Sequence, residues 1–141
     1  MGVLYLQDAV CVVPERPDLT QNLSYAVSAV EEMGGSCQLF AATSLLPVGA
    51  EEIASAFRAQ ADVHLDEILV RLQTVAASLG TADTPLLFER AHEDLKRERG
   101  SYLHARKLAV FGASSERETA IDTCMEQIKN TLDTGVSSGV K

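Results

Sequence analysis

The chain has 141 residues, 46% hydrophobic and 23% charged, with a formal net charge of −8 at pH 7. That length and mixture suit one globular domain with a real core and exclude a mostly disordered chain. Twelve Lys and Arg against twenty Asp and Glu argue against nucleic acid as the partner of the chain as a whole, because neutralising phosphates takes clustered cations.

No apolar run approaches the ~18 residues that a membrane-spanning helix needs, so none is expected. The start, from Met1 to Asp8, has no basic segment, and Asp8 interrupts its apolar residues, so it does not read as a secretory signal. Leu6 stands where a myristoylation motif requires Ser or Thr. Cys11, Cys37 and Cys124 are widely spaced, odd in number and each set in an apolar stretch. They read as reduced core thiols of a cytoplasmic protein rather than a disulfide framework.

Taken in chain order, residues 3–6 and 9–13 are β-rich runs that read as a hairpin or as one bent strand, and Pro14 and Pro17 then stop the sheet. Asp18 or Thr20 is placed to cap a first helix with the stripe Leu19, Leu23, Ala26, Val27 and Val30. Gly34-Gly35 ends it, offering the positive φ that a helix C-terminus favours. Residues 37–42 read as a further strand, with Leu39 and Phe40 on opposite faces. Pro47, Val48 and Gly49 introduce a second helix with Glu51 and Glu52 in its first turn. Its stripe runs Ile53, Phe57, Ala61, Leu65, Ile68, Leu72, Val75 and Leu79 to Gly80. So long a helix needs a partner along its length. Pro85 opens one, carrying Leu87, Ala91, Leu95, Tyr102, Ala105 and Ala109, with Gly100 a possible bend. Beyond Gly112, Ser115 and Glu118 form a capping-box pattern before Ile121, Cys124, Met125, Ile128 and Leu132. The expected organisation is one domain over residues 1–133, β-rich to 46 and helical from 47, followed by a flexible tail over 134–141.

The sequence holds no Walker A loop, GxGxxG, HExxH, GxSxG or paired CxxC. His92 and His104 are too far apart on one helix to share a metal, and with His64 they read as ordinary surface or core residues. Cys11 has no cation or helix N-terminus beside it to lower its pKa. The pairs Glu31-Glu32, Glu51-Glu52 and Asp66-Glu67 read as solvated helix faces. Six of the twelve cations fall between Arg90 and Lys107. From that segment Lys96, Arg97, Arg99, Arg106 and Lys107 are the candidate anion- or partner-binding residues. The plainer reading is a salt-bridged helix face, since Glu89, Glu93, Asp94 and Glu98 interleave with them. No catalytic residue, metal ligand or cofactor is assigned.

The stretch Leu4-Tyr5-Leu6-Gln7-Asp8-Ala9-Val10-Cys11-Val12-Val13-Pro14 resembles the N-terminal region of the ChrB chromate-resistance regulators, with Ala9 where that family has Gly. The run Phe88 to Leu95, followed by Leu108-Ala109-Val110-Phe111-Gly112-Ala113, is similar to the same family in order and spacing. The likeness is collinear over about residues 2–133. It implies a bacterial, cytoplasmic, chromate-responsive regulator of transcription, with an N-terminal module like the ferredoxin-like one of PaaX-type repressors. Relatives carry a preceding strand, an Arg-rich helix and a separate C-terminal domain that this sequence lacks. The fold class expected is therefore α+β: a truncated ferredoxin-like sheet of about three strands, a long helical hairpin and one further helix.

The function expected is a non-enzymatic regulatory or accessory module. One alternative is an interaction or assembly domain without a small-molecule ligand. The other is a metal-dependent nuclease relative of the ferredoxin-like fold, for which Asp8 is the one candidate carboxylate. The partners expected are a second copy of the chain, through sheet edge or helical hairpin, and an oxyanion or a regulatory protein, with no membrane.

Overall fold

The computed structural model describes residues 3–7 and 10–139, with side chains at 3, 4 and 10–135. The chain divides into two compact units, Met1–Phe57 and Arg58–Lys141.

In the first unit, strand β1 (Leu4–Gln7) pairs antiparallel with β2 (Val10–Val12). The register sets Leu4 against Val12, Tyr5 against Cys11 and Gln7 against Val10, with an irregularity between Tyr5 and Gln7. Helix α1 (Pro17–Glu32) starts one residue before Asp18 and three before Thr20, so both expected caps lie inside it. Pro17 takes the first helical position, where its missing N–H costs nothing. Arg16 is the N-cap, and its guanidinium grips the Asp18 carboxylate (Nε to Oδ1 2.6 Å) instead of leaving it to cap the helix. That pairing holds the Asp18 carboxyl below its ordinary range. The helix closes in a Schellman turn. The Gly35 N–H donates to the Val30 carbonyl, the Gly34 N–H donates to Glu31, and Gly34 takes φ +86. Gly35 is needed for space, since a Cβ there would meet the Val30 side chain at 2.8 Å.

The expected third strand does not form. Residues 35–44 have no regular structure, and Leu39 and Phe40 are exposed. A strand needs a ladder partner for its backbone groups and an apolar face to cover, and this stretch has neither. The expected α+β, truncated ferredoxin-like fold is thereby overturned: the chain is mostly helical, and its described strands are one short hairpin. With that frame goes the basis for the nuclease alternative, and Asp8 lies outside the described residues. The thiol reading is also corrected. Cys11 and Cys37 are exposed, and only Cys124 is buried, which pushes its pKa up.

Helix α2 (Pro47–Gly80) begins in the first unit, earlier than expected, so Glu51 and Glu52 fall in its second turn. Its later part joins α3 (Pro85–Leu108) and α4 (Ser115–Gly139) in the second unit. The three form an up-down-up bundle. Arg71 meets Glu98 between α2 and α3, Arg106 meets Glu118 where α3 ends and α4 begins, and Phe88 lies against Gly135 at the other end. The core is the stripe read from the sequence, now filled from three sides: Leu65, Ile68, Leu72, Val75 and Leu79 meet Ala91, Tyr102, Ala105, Ile121, Cys124, Ile128 and Leu132. Helix α3 runs on through Gly100, and α4 extends to Gly139.

The start of α4 is fixed by its neighbour. Ser114, not Ser115, is the capping residue: its hydroxyl accepts the Arg117 N–H at 3.4 Å. Its own N–H donates to Asp62 Oδ1 on α2 at 2.8 Å. The Arg117 guanidinium then spans Asp62 and Asp66, at 3.4 and 2.7 Å. Asp66 chiefly holds that guanidinium's pKa above its ordinary value. Among the described residues no helix is long and apolar enough to cross a membrane.

Candidate functional site

The cationic segment lies on α3, and helical geometry sorts its members. Residues three or four apart share a face, and adjacent ones do not. Lys96, Arg99 and Arg106 fall on the face that carries His92, Leu95, Tyr102 and Leu103, and all line a groove of about 630 Å³ between α3 and α4. Arg97 falls elsewhere. It pairs with Asp94 at 2.9 Å and reaches Glu98 at 3.6 Å. Lys107 is exposed and outside the groove. The structure thus brings together three of the five candidate cations and separates the other two.

The opposite wall of the groove is acidic. Helix α4 contributes Asp122, Met125, Glu126, Lys129, Asn130, Leu132 and Asp133. Cations therefore dominate one wall and carboxylates the other, over an apolar floor of Leu95, Leu103, Met125 and Leu132 with the Tyr102 ring. The Arg106 guanidinium lies 5.6 Å from the centre of that ring and 3.5 Å from Glu118. The Tyr102 hydroxyl is buried beside the Asp122 carboxylate, without a well-formed hydrogen bond to it. Its burial, and then the nearby carboxylates of Asp122 and Glu118, push its pKa above the ordinary phenol value, with Arg106 opposing.

Glu98 lies on the side of the α3 stripe turned toward α2, outside the groove lining. It is only 2% exposed, the one buried charged residue among those described, and accepts a 3.0 Å hydrogen bond from Arg71 Nε. Burying a carboxylate without a partner is costly, so this pair fixes α2 against α3. The sequence carried a signal for it: Glu98 fills the gap between Leu95 and Tyr102 in the α3 stripe. The acidic wall of α4 had no such signal, because only the α3–α4 packing sets it beside the cations.

His64 lies 3.5 Å from Glu67, while His92 and His104 are exposed. Among the described residues, no group of three or more His, Cys, Asp or Glu is placed to hold a metal ion.

The family described as Protein ChrB, N-terminal, matches residues 1–134. No curated protein and no solved structure matches the chain.

Proposed function

We propose, from the premise that this chain belongs to the ChrB N-terminal family, that it is a non-enzymatic regulatory or accessory module of a chromate-resistance system, acting in the cytoplasm. The observation that carries this reading to particular residues is the cationic wall of α3. Lys96, Arg99 and Arg106 stand along one face with His92, and that wall is the responsive surface. A tetrahedral oxyanion accepts charge-assisted hydrogen bonds from guanidinium and ammonium groups in such an array. Arg97, held by Asp94 and Glu98, takes no part in this reading.

Thermal unfolding with chromate, sulfate or chloride at equal ionic strength tests it. Chromate at 100 times its Kd should add about 2.7 kcal/mol of stability. Arg99→Ala should remove that gain, and Arg97→Ala should keep it. Equal gains in the wild type and Arg99→Ala would rule the wall out.

A second reading, an assembly domain without a small ligand, is favoured by one observation. Asp122, Glu126 and Asp133 line the wall facing the cations. Those carboxylates repel a dianion in the middle of the groove and suit a partner bearing both signs of charge.

A further inference from the structure

We infer that the α3–α4 groove is the face through which two copies of this chain pair, as an antiparallel four-helix bundle on a two-fold axis parallel to the helices. This inference stands apart from the oxyanion reading and rests on the symmetry of the charges.

The groove has an apolar floor and rims of opposite sign. The α3 rim carries His92, Lys96, Arg99 and Arg106, with no acid among its lining residues. The α4 rim carries Asp122, Glu126 and Asp133, with Lys129 the lone cation. Two copies placed face to face have two symmetric choices. An in-plane two-fold across the helices lays α3 on the other copy's α3, cation against cation. An in-plane two-fold along the helices lays α3 on the other copy's α4, cation against carboxylate, twice over. Like charges brought together at an interface cost several kcal/mol, so electrostatics selects the second. It also makes the contact isologous, the usual form of a closed dimer, and gives the antiparallel neighbours of a four-helix bundle.

The register follows from the monomer. Arg106 lies level with Glu118, and Phe88 level with Gly135 at the other end. Both helices advance ~1.5 Å per residue, so Arg99 lies level with Cys124 and Met125, and Glu126 lies between the levels of Lys96 and Arg99. A two-fold parallel to the helices preserves level. Glu126 of one copy therefore lies within side-chain reach of Lys96 and Arg99 of the other, and Arg106 stays level with the other copy's Glu118. Lys96, Arg99, Glu126 and Lys129 have no ion-pair partner within the chain among the described residues, so pairing between copies breaks no existing bridge for them. Leu103, 52% exposed in the single chain, becomes covered.

Charge also says why this face, and not another, is the one that self-associates. The chain as a whole is at −8, which sets two copies against each other. On this face the four Lys and Arg slightly outnumber the three acids, so the general repulsion is locally cancelled. The contact is small. The stretch from His92 to Arg106 spans about 21 Å, and two helices side by side are about 20 Å across. This is the low end of specific interfaces, where weak, reversible association is the rule.

Sedimentation equilibrium of the full chain, up to high micromolar concentration, tests the inference. The wild type should move reversibly from monomer to dimer mass. Arg99→Glu and Glu126→Arg should each weaken the dimer at least tenfold in Kd. The doubly reversed chain, Arg99→Glu with Glu126→Arg, should recover most of that loss, because the pair between copies is restored with its signs exchanged. Both positions are exposed, so circular dichroism should show unchanged helix. Leu103→Asp, at the floor, should also dissociate the dimer. A wild type that stays monomeric at high micromolar concentration overturns the inference. So does a dimer unmoved by all three single substitutions, or one that the double reversal weakens further.

Discussion

The two units of this chain spend their apolar residues in opposite ways. The second unit turns nearly every stripe residue of α2, α3 and α4 inward, so that Leu72 and Ile121 reach 0% exposure. Among its described residues the first unit buries Leu19, Ala54 and Phe57, while Tyr25, Met33, Leu39, Phe40, Leu45, Leu46 and Val48 stay exposed. Composition does not make this difference, since both are rich in aliphatic residues. Periodicity does. A stripe at helical spacing, repeated on three adjacent helices, can be covered completely. The apolar residues at 37–48 follow no repeat that an adjoining element matches. A substitution in the second unit should therefore cost what core burial costs, and one in the exposed part of the first should cost almost nothing.

The largest effect is expected at Leu72. Leu72→Ala removes a fully enclosed side chain between three helices and should cost about 2–5 kcal/mol in urea unfolding. A loss under 1 kcal/mol would mean that the bundle interior is loose, and the contrast between the units would fail at its stronger end.

How far the sequence foretold the molecule divides along the same line. The α2 stripe from Phe57 to Leu79, its partners on α3 and α4, and the stops near Gly34, Gly80 and Gly112 were all legible. Each rests on local periodicity or on glycine backbone chemistry. The apolar run 37–42 was not legible as irregular chain, because its residue types suit a strand, and whether a strand forms depends on a ladder partner elsewhere. At the candidate site the cations were visible as a cluster. Their division was not: one residue of offset sends Arg97 to Asp94 and Glu98 while Arg99 lines the groove. The acidic wall opposite depends wholly on how α4 lies on α3.

An intermediate effect is expected at Asp62, which accepts the Ser114 N–H and pairs with Arg117. Asp62→Ala should cost about 1–2 kcal/mol, the range for loss of a helix cap. Asp62→Asn retains an acceptor for Ser114 and should cost less. Equal losses would assign the effect to the Arg117 charge pair instead.

A smaller effect concerns pH. The Tyr102 phenol is held neutral by burial and by Asp122 and Glu118, so its folded pKa lies above the unfolded value. The folded chain then keeps its proton where the unfolded chain has lost it. Stability from this source is complete below pH ~10, the unfolded phenol value, and falls as pH rises from there through the folded value. The buried Cys124 thiol acts in the same direction from about pH 8.5. Tyr102→Phe should flatten the decline above pH ~10 and leave the part due to Cys124. At neutral pH it should cost no more than about 1.5 kcal/mol, the net worth of the one weak contact with Asp122 that it removes. An unchanged alkaline limb in Tyr102→Phe would show that the phenol does not titrate there.

The smallest effect is the one that tests the first unit. Phe40 is 82% and Leu45 96% exposed, so in the folded chain each side chain meets about as much water as it does unfolded. Hydrophobic stabilisation scales with the area withdrawn from water, about 25 cal/mol per Å², and here little is withdrawn. Phe40→Ser and Leu45→Ser should therefore change stability by no more than about 0.5 kcal/mol, as surface substitutions do. Helix content should be unchanged, and solubility should rise, because exposed apolar side chains promote association. The measurement is urea unfolding followed by circular dichroism, run beside Leu72→Ala. A loss above 1 kcal/mol at either position would mean that these side chains are packed in solution. The first unit would then have a core of its own, and the contrast with the helical bundle would shrink from a difference of kind to one of degree.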